Sequence, residues 1–122
     1  MAKILVADDG WSYRMIYGKF LQNAGYEVVT ASSGEEALQK LQEEKFDLLL
    51  TDLNMVPDGM DGTDLLKEAK KLHPQMPVIL ASNDEDVEKI AKEDGFNDYH
   101  YKADPEESLV KKIKELFLEY VQ

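Results

Sequence analysis

The chain has 122 residues, 43% hydrophobic and 32% charged, with a formal net charge of −11 from 14 basic and 25 acidic side chains. That is enough chain for one domain with one core, and the composition excludes a disordered polar tract. The charge opposes direct nucleic-acid binding through phosphates, and the absence of cysteine excludes disulfides and thiolate zinc sites.

The apolar run of "MAKILVADD" is too short for a signal peptide, and no run approaches the ~20 residues of a membrane span. A cytoplasmic chain without membrane insertion is expected. "KILVAD" at 3–8 reads as a buried strand that runs into two adjacent carboxylates, Asp8 and Asp9. Tyr13, Ile16, Tyr17, Phe20 and Leu21 then follow i, i+3, i+4 spacing, which predicts an apolar stripe on a helix. Trp11, just past the acid pair, reads as a partly exposed loop or first-turn aromatic, and Gly25 closes the helix. "EVVTA" at 27–31 is the second strand, and Ser33 with Glu36 has capping-box spacing for the second helix. "DLLLTD" at 47–52 ends in Asp52, and "PDG" at 57–59 is a turn signal before the third helix. "PVILAS" at 77–82 ends in Ser82, and the fourth helix closes at Gly95. "DYHYK" at 98–102 ends in Lys102. Asp104 and Pro105 supply an N-cap and an N1 proline for a last helix with Leu109, Ile113, Leu116, Phe117 and Tyr120 on one stripe.

Five β-α units in strict alternation predict a mainly parallel sheet with helices on both faces. Strands 1, 3 and 4 are almost wholly apolar and belong in the centre. Strands 2 and 5 carry Glu27, Thr30, His100 and Tyr101 and fit the edges. The predicted architecture is therefore α/β: a flavodoxin-like (βα)5 three-layer sandwich with a parallel five-stranded sheet in the order 2-1-3-4-5. In such sheets the functional crevice lies beyond the C-terminal ends of the strands.

Adjacency of strands 1 and 3 brings Asp8, Asp9 and Asp52 into one pocket. Unit charges ~5 Å apart repel by roughly 3 kcal/mol at an effective dielectric near 20. Either one acid is protonated or a cation neutralises the group. An all-oxygen site with positions open to water suits Mg²⁺. An aspartate beside Mg²⁺ can attack phosphorus and give an aspartyl phosphate. Lys102 then offers a cation, and Ser82 a hydroxyl, to the transferring phosphoryl oxygens. Ordinary roles compete for each residue taken singly. An Asp is often a cap or turn residue, Ser82 or Asn83 can cap the fourth helix, and an edge-strand lysine is usually solvated.

Over essentially its whole length the chain resembles the receiver domain of two-component response regulators, of the chemotaxis-regulator-like kind. The resemblance rests on "ILVADD", Arg14 five residues after the acid pair, "AGYEVVTASSGEEAL", "DLLLTD", "MDG" at 60–62, "PVILAS" and "DYHYK". It implies a single receiver domain over 1–122, with Asp52 as the phosphorylation site and Mg²⁺ held by Asp8, Asp9, Asp52 and the backbone carbonyl of Asn54. It implies catalytic roles for Asp52, Lys102 and Ser82, and a switch formed by Ser82 and Tyr99. The switch would remodel the surface built by the fourth helix, fifth strand and fifth helix. The implied partners are a sensor histidine kinase or histidine phosphotransfer protein, and a downstream target or output domain. Such a domain catalyses only its own phosphorylation and dephosphorylation and is not a conventional enzyme.

Three positions depart from the family pattern. The loop at 55–59 is two residues longer than usual, Ala103 replaces the proline after the lysine, and Asn83 stands where a very small residue is usual. Asp84 follows, placed to orient water. These departures motivate an alternative, a pseudo-receiver that acts as a phosphorylation-independent interaction module. A third reading, a Mg²⁺-dependent phosphatase with an aspartyl nucleophile, needs a substrate cap for which no segment is evident.

Overall fold

The computed structural model describes residues 1–55 and 59–120, apart from the Tyr120 side chain. The elements alternate as the sequence predicts: β1 (Lys3–Ala7), α1 (Trp11–Asn23), β2 (Glu27–Ala31), α2 (Gly34–Glu43), β3 (Leu48–Asp52), α3 (Gly62–Leu72), β4 (Val78–Ser82), α4 (Val87–Asp94), β5 (Asp98–Tyr101) and α5 (Glu106–Tyr120). All strand pairs are parallel and the order is β2-β1-β3-β4-β5.

Strand periodicity divides the core into two layers. Leu5, Leu49 and Leu80 face α2, α3 and α4 and pack with Leu41, Leu65, Leu66 and Ala91. Ile4, Val6, Leu48, Leu50 and Ile79 face the other way and pack with Tyr17 and Leu21 of α1 and Leu109, Ile113 and Leu116 of α5. The central strands β1, β3 and β4 are buried on both faces, which is why they read as continuous apolar runs.

Local signals hold with small shifts. Gly25 and Gly95 take positive φ values of 99° and 94° where α1 and α4 end, a conformation that costs glycine little. At α2 the Ser33 hydroxyl accepts the Glu36 N–H at 3.0 Å. The Glu36 carboxylate reaches past the cap and accepts from the Ser32 N–H and hydroxyl instead of closing a capping box on Ser33. Helix α5 starts at Glu106, one residue later than an Asp104 cap would place it. Strand β4 starts after Pro77, which has no N–H for a ladder. Ile16 is a correction to the α1 stripe: it is 42% exposed, and the buried line runs through Tyr17 and Leu21, with Tyr13 packed beside it. His100, expected on a polar edge, is fully buried. Of the "PDG" turn, Pro57 and Asp58 lie outside the described residues, whereas Gly59 has φ 134°.

Candidate functional site

Parallel register decides what meets at the rim of the sheet. Ala7 pairs with Thr51, so Asp8 stands level with Asp52. Asp52 pairs with Ala81, and Ser82 with Tyr101, so each strand to the right presents its last polar residue one step further out. Asp8, Asp9, Gly10, Tyr13, Asp52, Asn54, Ser82, Asn83, Asp84 and Lys102 thereby line one open pocket of ≈ 300 Å³. Among the described residues, Asp8, Asp9 and Asp52 each offer a carboxylate oxygen within 4.8 Å of the others.

The chain supplies part of the neutralising charge itself. The Lys102 ammonium lies 2.7 Å from Asp8 Oδ2 and 3.3 Å from Asp52 Oδ1, with its side chain only 3% exposed. The other Asp8 oxygen accepts the Gly10 N–H at 2.8 Å, and Asp52 Oδ1 accepts the Leu53 N–H at 2.9 Å. At Asp52 this bond and the Lys102 ammonium favour the carboxylate form. Burial outweighs them at Asp52. Desolvation raises its pKa to about 6, against the pull of Lys102 and with a further push from Asp8. An acid held this far above its ordinary range, in a cleft with two more acids, marks a functional site. Oxygen donors alone, three of them anionic and the cluster open to solvent on one side, fit a hard divalent cation such as Mg²⁺.

Backbone contacts fix the frame. The Lys102 N–H donates to the Ser82 carbonyl at 2.8 Å, which ties the turn after β5 to the end of β4. The Arg14 guanidinium donates to the Asp8 carbonyl at 2.8 Å, so α1 holds the acid loop. Ser82 does not cap α4. That helix begins at Val87, and the Ser82 hydroxyl oxygen accepts the Asp84 N–H at 3.1 Å. Nor does Asn83 cap it or turn into the acids: its amide donates to the Tyr13 hydroxyl at 2.9 Å. Tyr99 lies away from the pocket on β5. The Lys112 ammonium of α5 sits 3.7 Å from its ring centre and donates to its carbonyl.

Tyr13 is a site residue that sequence reasoning missed. Its ring lies 3.9 Å from the Lys102 ammonium, a close cation–π contact. Its position in an apolar helical stripe disguised it, although its place in the turn after the acid pair was a usable signal.

Residues 4–114 match the family model of the response regulator receiver domain. The chain belongs to that family. A response regulator receiver domain is a phospho-accepting module of two-component signalling, and this one is preferred over the pseudo-receiver reading. A CheY-like receiver domain protein from Methanospirillum hungatei superposes with a TM-score of 0.89 at 34% identity, covering 98% of this chain and 96% of that one. The response regulator protein TrrA from Thermotoga maritima, solved in complex with Mg(2+)-BeF, gives 0.86 at 31% identity, with 95% and 99% covered. Among curated relatives, the alkaline phosphatase synthesis transcriptional regulatory protein PhoP of Bacillus subtilis is 39% identical over 99 residues, 80% of this chain and 40% of that protein. The transcriptional regulatory protein GlrR of Escherichia coli is 46% identical over 79 residues, 65% of this chain and 17% of that protein. The chain thus spans less than half the length of these curated relatives. No helix among the described residues is long and apolar enough to cross a membrane.

Proposed function

We propose that Asp52 is the phospho-acceptor of this receiver and that residues 1–122 work as one receiver domain. The supporting observation is the convergence of the Asp8, Asp9 and Asp52 oxygens within 4.8 Å, with the Lys102 ammonium bonded to two of those acids. An Asp52 oxygen forms a bond to the phosphorus of a phosphohistidine in line, and the bond from phosphorus to the imidazole nitrogen breaks. Lys102, already 3.3 Å from Asp52, donates to the incoming phosphoryl oxygens. Ser82, at the end of the neighbouring strand, donates its hydroxyl proton to them. Asp8, Asp9 and Asp52, with the Asn54 carbonyl, would hold Mg²⁺. When bound, that ion neutralises the acids and the phosphoryl oxygens together.

The donor is a sensor histidine kinase or a histidine phosphotransfer protein, which places the chain in the cytoplasm. Movement of Ser82 toward the phosphoryl group, followed by Tyr99, changes the surface of α4, β5 and α5. A downstream target or output domain reads that surface. The domain catalyses only its own phosphorylation and hydrolysis. Asn83 and Ala103 do not argue against this reading, because Asn83 turns to Tyr13 and Lys102 reaches both acids without a proline behind it.

Intact-mass spectrometry after incubation with acetyl phosphate and Mg²⁺ tests it. One phosphoryl adduct is expected on the wild type, with none on Asp52→Asn and none without the metal. Absence of the adduct from the wild type under rapid sampling would restore the pseudo-receiver reading.

A further inference from the structure

Asn83 and Tyr13 come from different elements and meet at the solvent side of the phosphoryl pocket. Asn83 follows β4 and Tyr13 is in the first turn of α1, 70 positions apart in sequence. Their 2.9 Å hydrogen bond is exposed, whereas Asp8, Ser82 and the Lys102 side chain beneath them are at most 5% exposed. The bond therefore spans the rim and not the floor.

Three contacts hold the Tyr13 ring in this place. The Lys102 ammonium packs on its face at 3.9 Å. The Tyr17 ring stacks behind it, with centroids 5.9 Å apart and planes 19° from parallel. Gly10 lies alongside and leaves room for it: a Cβ at that position would come within 3.1 Å of Tyr13 Cδ2 and 3.2 Å of Asp8 Oδ1. Tyr13 thus has a fixed base, and its hydroxyl is the part that reaches across.

We infer that the Tyr13–Asn83 bond is a clasp over the phosphoryl pocket that sets the lifetime of the phosphorylated state by limiting the approach of water. This rests on Asp52 being the acceptor. In hydrolysis a water oxygen forms a bond to phosphorus, and the bond from phosphorus to the Asp52 oxygen breaks. Asp52 leaves as a carboxylate, and the proton of the water passes to the released phosphate or to solvent. That water must come in from the face opposite Asp52, which is the open side of the pocket. A side-chain pair joined across the rim narrows this approach. Tyr13 acts here as a positioning residue and Asn83 as its partner.

The test uses the full chain with Tyr13→Phe, Asn83→Ala and the double variant, phosphorylated by acetyl phosphate with Mg²⁺, desalted and followed by intact mass. Tyr13→Phe keeps the ring on Lys102 and removes only the hydroxyl. Each single variant is expected to lose its adduct about fivefold faster than the wild type, the factor that corresponds to one ordinary hydrogen bond. The double variant is expected to match the singles, because all three lack the same bond. Unchanged lifetimes in the singles, effects that multiply in the double, or slower acceptance with an unchanged lifetime would overturn the clasp. A wild type that takes no adduct would overturn the acceptor assignment and the clasp together, which separates the two failures.

Discussion

Asp52, partly buried, and His100, fully buried, are titratable groups that pull stability in opposite directions as pH changes. The folded pKa of Asp52 is raised from 3.8 to about 6 by burial. Its stabilising contribution is complete below pH 4 and is lost as pH rises through 6. Removing that ionisation by Asp52→Asn is expected to stabilise the metal-free protein at pH 7 by about 1 kcal/mol, because solvent screening and the lost Lys102 contact offset much of the shift. His100 is fully buried with neither ring nitrogen hydrogen-bonded, and burial, assisted by the nearby charge of Lys112, lowers its pKa. Its contribution is complete above pH 6.5 and is lost as pH falls toward the lowered value. The metal-free wild type should therefore show a flattened profile between pH 4 and 6.5. In Asp52→Asn the histidine slope is no longer opposed, so stability should fall on acidification below pH 6.5. Urea melts at stepped pH read both effects, and a variant less stable than wild type at pH 7 would contradict the charge argument. Asp8, Asp9, Asp52, Ser82 and Lys102 were legible in the sequence because strand alternation sends the last residue of every strand to the same rim. Tyr13 was not, since an aromatic at a helical interval serves the core equally well. Lys102 as an internal counterion also escaped notice: spacing alone does not say which way a lysine at a strand end will lie.

At the scale of elements, α3 approaches the end of β3 through one small residue. A Cβ on Gly62 would come 2.2 Å from the Asp52 carbonyl oxygen and 3.0 Å from Leu53 Cα. The Gly62 N–H also donates to the Leu53 carbonyl at 2.7 Å. Gly62→Ala must push α3 away from the backbone that carries Asp52. A loss of about 1–3 kcal/mol is expected, together with slower acceptance from acetyl phosphate. Gly18 makes the contrasting case. It lies within α1, and a Cβ there meets nothing within 4 Å. Gly18→Ala should stabilise by about 0.5–1 kcal/mol and leave acceptance unchanged. Chemical denaturation of both variants checks the pair, and equal effects would show that the close approach is not what distinguishes them. Element order and type were readable from apolar period and punctuation. The face that α1 buries was harder to read. Ile16 and Tyr17 are neighbours in one helical template, and only packing on Leu21 and the sheet decides that Tyr17 turns inward while Ile16 faces water. His100 was misread for a related reason. On a four-residue edge strand its polarity suggested solvent, but α1 and α5 cover that face, and Tyr17 meets its ring edge-on at 5.9 Å.

For the molecule as a whole, the net charge of −11 and the three converging acids make divalent cations a source of stability. Mg²⁺ at 100 times its dissociation constant should stabilise the wild type by about 2.7 kcal/mol through mass action. Asp9→Asn should lose most of that gain. Sodium chloride at matched ionic strength is the necessary control, because general screening also relieves an acidic surface. Trp11, 68% exposed and two residues beyond Asp9, offers a fluorescence signal for the same titration. Equal rises in melting temperature for the two proteins would place the ion somewhere other than the cluster.

The ion pair between Lys102 and Asp8 joins positions 94 apart in sequence. A nascent chain that has emerged only as far as β4 holds all three acids but lacks Lys102, the lysine that pairs with Asp8 and Asp52. The charge-balanced pocket is therefore among the last features of the protein to form. A copy without β5 leaves Asp8 and Asp52 without the Lys102 ammonium, so the charge balance of the pocket reports that β5 has docked.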